Sequence, residues 1–166
     1  MTTKIDYSPQ EWKSLLVAPF FASMLVVISD MNMGFFKELA ALGQAVTLSA
    51  THSKNELIRD IAADLSKKET QETIKPEMEK VQGQKDPQVL KQNFMDVLLG
   101  AADLVSARSD EDGAAYRQWL LYLAQQTAEG AKEGGFLGFG AVRVSEKEKA
   151  MLTELAQGLG LDAPAA

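Results

Sequence analysis

Cysteine is absent and histidine occurs once, at His52. Without thiols there are no disulfides, no thiolate metal sites and no cysteine nucleophile, which points toward a reduced, cytoplasmic setting. Basic clusters are missing too. Lys67-Lys68 is the only adjacent basic pair, acids follow at Glu69 and Glu72, and the net charge is −6. Binding to nucleic-acid phosphates needs a concentrated basic face, so that class of partner is excluded. The longest uncharged stretch, Ser14 to Ser29, falls short of the about 20 residues that span a bilayer. Lys4 and Lys13 near it are balanced by Asp6 and Glu11, unlike the basic start of a signal peptide. The run Leu15 to Ile28 therefore reads as a buried core helix, with membrane association disfavoured. Strand patterning is also lacking, because Ala141-Val142-Arg143-Val144 has no plausible partner strand.

What is present is helical. Ser8-Pro9-Gln10-Glu11 is a capping box with a first-turn proline, and the helix it opens runs to about Ile28, interrupted or kinked near Val17 and Ala18 by Pro19. It has almost no polar face, which places it at the centre of a bundle. A second helix covers about Phe35 to Ala50, with Phe35, Leu39, Leu42 and Val46 on one side. Gly43 inside it costs about 1 kcal/mol against alanine and predicts close approach by another helix or by a glycine-rich loop. Ser53-Lys54-Asn55-Glu56 reads as the next capping box, leading into Leu57 to Leu65. From Ser66 to Lys85 the chain is polar, with Ile74, Met78 and Val81 as its apolar anchors, and reads as a solvated connector.

Asp86-Pro87 opens the fourth helix, through Val105. Ser109-Asp110-Glu111-Asp112-Gly113 reads as a turn before a fifth helix carrying Trp119, Leu120 and Leu123. Ser145 to Glu148 is another capping box, starting a sixth helix that Gly158 and Gly160 stop, and residues 161–166 form a frayed tail. The expectation is an all-α, single-domain bundle of about six helices spanning 1–166, which is long enough to bury roughly 70% of its unfolded surface. Helices one and two, joined by an acidic glycine-containing turn, echo helices four and five, so an internal duplication of a helical hairpin stands as an alternative to coincidence.

The acidic turns suggest a divalent metal, held by oxygens of Asp30, Asn32 and Glu38 or of Asp110 and Asp112. Neither turn fits an EF-hand: from Asp30 the glycine comes one position early and Ala41 stands at the twelfth, and from Asp110 Leu121 stands there. Turn and cap chemistry explains the same residues. The second candidate site is the loop Glu133-Gly134-Gly135-Phe136-Leu137-Gly138-Phe139-Gly140. It matches half of a P-loop, but Ala141-Val142 replaces the lysine and hydroxyl residue that would reach phosphate and magnesium. Three large apolar side chains among four glycines instead suggest a hydrophobic clasp between the last two helices. Glu129 and Glu133, one helical turn apart, supply a carboxylate pair beside it.

The string EGGFLGFG followed by VSEKE resembles the C-terminal signature of a group of small bacterial proteins without an assigned activity. The paired helices with acidic glycine-containing turns, carried by Asp30 with Gly34, Asp110 with Asp112 and Gly113, and Ser145 with Glu148, are similar to the tellurite-resistance TerB-like helical family. The resemblance implies a cytoplasmic helical protein with acidic metal-binding positions and a stress-related role beside protein partners. With no complete catalytic set, the leading reading is a non-enzymatic binding or scaffold protein, its partner another protein or a second copy. The alternative is a small-ligand or metal binder, or an enzyme, with a pocket between the glycine loop and helices one and two; no cofactor is identified.

Overall fold

A computed structural model describes residues 1–30, 35–82, 86–130 and 144–162. Seven α-helices follow a short 3₁₀ turn, Lys4–Asp6: α1 Pro9–Ser29, α2 Phe35–His52, α3 Glu56–Leu65, α4 Lys68–Gln82, α5 Pro87–Ser106, α6 Asp110–Gly130 and α7 Glu146–Gly158. No strand occurs among the described residues. The chain is an all-α multihelical bundle.

The bundle is organised around α1, which touches each of the helices from α2 to α7. Leu15, Ala18, Phe21, Ala22 and Leu25 are fully buried, each large one contributing about 2 kcal/mol by leaving water. Phe21 stacks on Phe94 of α5 with ring centroids 4.6 Å apart. From α6, the Tyr116 hydroxyl donates to the Leu15 carbonyl at 2.9 Å, and burial pushes its pKa well above the ordinary tyrosine value. Trp119 of α6 donates to Ser49 Oγ of α2 at 2.8 Å. Pro19 does not break α1: the helix runs 21 residues without interruption. It is therefore long and apolar enough to cross a bilayer by length and composition, contrary to the shorter span expected from the charge-free stretch, and most of it is buried inside the bundle.

Helix starts follow the local chemistry. Ser8 with Glu11 and Ser145 with Glu148 form reciprocal capping boxes, and Asp86 caps α5 through the amides of Gln88 and Val89. Three expectations are corrected. The box expected at Ser53 is displaced, because Asn55 Oδ1 accepts from the Ile58 amide and α3 begins at Glu56. The polar stretch 66–85 contains α4, a 15-residue helix, with Ile74 buried and Met78 half-buried one turn apart. Two apolar anchors at helical spacing suffice once a bundle offers them a surface, even in a segment of charged composition. The acidic stretch after Ser109 is no turn: Ser109 Oγ accepts from the Asp112 amide, and Asp110, Glu111 and Asp112 form the first turn of α6, where carboxylates suit the helix dipole.

The end of α7 closes as the glycines suggested. Gly160 has φ 68°, its amide reaches the Gln157 carbonyl, and the Leu161 amide reaches that of Ala156, a Schellman arrangement. The two hairpins that echo in sequence differ in space, since α5 packs along α6 whereas α1 and α2 meet only marginally.

Candidate functional site

One hollow lies where α4 faces the middle of α1, the middle of α2 and the end of α3. Its volume is about 690 Å³, inside the range of small-molecule sites. Phe20 of α1, Leu42 and Val46 of α2, and Ile74 and Met78 of α4 provide its apolar wall. The space exists for two sequence reasons. Helix α4 brings few large apolar side chains, and α2 carries Gly43 at the wall, where an added Cβ would meet nothing within 4 Å. The close neighbour expected at Gly43 is thus not found among the described residues, and the glycine faces open space.

Polar groups around this hollow are largely engaged. Thr47 donates to the Gly43 carbonyl at 2.9 Å, Ser66 to that of Ala62 at 3.0 Å, and Gln71 Nε2 to that of Leu65 at 3.0 Å. Lys75 is the only ionisable side chain in the lining among the described residues. It stands at the mouth, mostly exposed, 3.8 Å from Glu79 one turn further along α4.

A second, more polar hollow of about 530 Å³ lies beside Lys4, Trp12 and Asp64. Asp64, on α3, is buried. Burial alone would raise its pKa, but hydrogen bonds from Lys4 Nζ at 2.6 Å, Lys67 Nζ at 2.6 Å and Trp12 Nε1 at 2.9 Å outweigh that and hold it at about 2. Its oxygens are committed to this structural junction.

Asp112 is a comparable junction at the start of α6. It is 1% exposed and accepts from Asn55 Nδ2 at 2.8 Å and from the amide and hydroxyl of Thr2. Burial works to raise its pKa, and these donors, the Thr2 amide foremost, bring it below the usual carboxylate value. Both oxygens accept from N–H and O–H donors, an arrangement that ties the N-terminal segment and α3 to the start of α6.

The two sequence-derived metal sets lie apart. Asp110 is exposed on α6, whereas Asp30 ends α1 at the opposite end from Thr2, 3.8 Å from Lys147. A helix of that length is about 30 Å long, so Asp30 and Asp112 are far apart. Among the described residues no group of three or more His, Asp or Glu side chains is placed to hold a metal. Asn32 and the Glu38 side chain lie outside the described residues. So do Glu133, Gly134, Gly135, Phe136, Gly138, Phe139 and Gly140 of the glycine loop, and with them the clasp. Glu129 is exposed near the end of α6, its carboxylate accepting from Gln126 Nε2 at 3.1 Å. His52 is exposed at the end of α2.

Sequence reading missed Asp64 and Lys75. No motif surrounds Asp64, two of whose three partners come from 60 and 52 residues earlier. Lys75 was missed with α4 as a whole, although Ile74 and Met78, spaced by four, carried the helical signal. Compared with protein-family models, curated proteins and solved structures, the chain matches none.

Proposed function

We propose that this chain is a non-enzymatic binding protein that holds an apolar small molecule between α1, α2, α3 and α4. The observation that carries the reading is the hollow of about 690 Å³ at Gly43. A glycine inside a helix costs helix stability. Here the glycine is exposed at the edge of an open groove and has no packing neighbour among the described residues, which supports a space kept for a ligand. Within the same proposal, a cytoplasmic location and a stress-related role beside protein partners rest on the resemblance to the TerB-like family.

The test is titration with a neutral fluorescent naphthylamine, followed by emission and by melting temperature. Saturable binding is expected, with stabilisation of about 2.7 kcal/mol at a hundredfold excess over Kd. Gly43→Phe, which fills the hollow, should abolish it while the protein remains folded. Equal binding by wild type and folded Gly43→Phe would sink the reading.

A further inference from the structure

The walls of the hollow and its mouth differ in chemistry. Phe20, Leu42, Val46 and Met78 offer a surface for a hydrocarbon, and the hydroxyl donors nearby are spent on backbone carbonyls. No carboxylate lines it among the described residues. Among the described lining residues the single charge is the Lys75 ammonium, carried on α4 next to Ile74 and one turn before Met78. Its ion pair with Glu79 is long, at 3.8 Å, and both side chains are more than 60% exposed. Such an exposed pair is weak, so the ammonium is free to turn to an anion entering the mouth.

We propose that the ligand is an aliphatic carboxylate, its chain among Phe20, Leu42, Val46 and Met78 and its head group on Lys75. This rests on the binding reading above and adds the ligand's chemical class. A neutral apolar compound would fill the walls and leave the ammonium unused. An alkylammonium would bring a second cation to Lys75. A free monocarboxylate matches both parts, and Glu79 on the outer side disfavours a dianionic head.

The discriminating experiment is calorimetric titration of the full chain with decanoate, decanol and decyltrimethylammonium, each below its aggregation limit. Decanoate is expected to bind about threefold to fivefold tighter than decanol, the range of a partly exposed ion pair. The ammonium should bind more weakly than decanol. Lys75→Met should remove the advantage of decanoate without weakening decanol, and Lys75→Glu should reverse it. Lys68→Met, two turns before Lys75 on the same helix and outside the lining, should change nothing. Because Lys75 is exposed, its variants should melt with the wild type, and a melting curve confirms that each is folded. Equal affinity of decanoate and decanol, or an advantage that survives Lys75→Met, overturns the carboxylate assignment and leaves the binding reading standing. Failure of all three to bind, or binding unchanged in folded Gly43→Phe, overturns the binding reading itself.

Discussion

Gly113 and Gly43 are both interior helix glycines, and they are there for opposite reasons. Gly113 faces α5 so closely that an added Cβ would lie 2.7 Å from Ser106 Cα and 2.8 Å from Ser106 Cβ. Backbone stands in the way, so the corner between α5 and α6 admits only hydrogen. At Gly43 the same atom would meet nothing within 4 Å. One glycine is required by contact and the other borders a space. Glycine in a helix therefore carries no single meaning, and its surroundings decide whether it marks a joint or a hollow.

The contrast is broken or sharpened by substitutions at the two glycines and at the two buried carboxylates. Gly113→Ala should have the largest effect, a destabilisation of about 3 kcal/mol from overpacking. For a chain of this size that lowers Tm by roughly 6 to 12 °C. A shift within 1 °C would mean that α5 yields freely and the corner is not tight. Asp112→Ala, beside it, should cost about 2 kcal/mol in urea unfolding, because Asn55 Nδ2 and the Thr2 amide lose their acceptor. A loss below 0.5 kcal/mol, allowing about that error, would deny Asp112 its junction role.

Asp64 gives a smaller, pH-dependent effect. Its pKa in the fold is about 2, below that of the unfolded chain, so its contribution is complete above the unfolded value and is lost as pH falls toward 2. Urea unfolding of wild type and Asp64→Asn between pH 6 and about 2 should show an acid limb shallower by roughly 1 to 2 kcal/mol in the variant. Parallel curves would show that Lys4, Lys67 and Trp12 do not hold the carboxylate as described. Gly43→Ala should have the smallest effect and the opposite sign, stabilising α2 by about 0.5 to 1 kcal/mol through helix propensity. Destabilisation there would reveal a neighbour against Gly43 and close the hollow.

Much of the bundle could be read from local signals. Ser8 with Glu11, Asp86 with Pro87 and Ser145 with Glu148 mark helix starts because a cap is made by residues two or three apart, with little help from the rest of the fold. The central position of α1 follows from its missing polar face. The start of α6 was misread because Ser109-Asp-Glu-Asp-Gly satisfies turn and first-turn chemistry equally, and Asp112 found its partners in Thr2 and Asn55. The hollow was least legible. Gly43 pointed to something unusual at the right place, but no close contact is found there among the described residues, and Lys75 sat in a segment whose composition concealed its helix.

By itself, the sequence determined the helical class, the central helix and most of the caps, since each depends on apolar periodicity or on hydrogen bonds within one turn. Only the tertiary structure decided that Asp64 and Asp112 would be buried junctions rather than surface acids. It also decided that α4 would form, and that Gly113 would be a joint and Gly43 the border of a hollow. These outcomes depend on which surfaces meet across tens of residues of chain, and a glycine or a carboxylate has the same local chemistry whether a helix lies against it or nothing does.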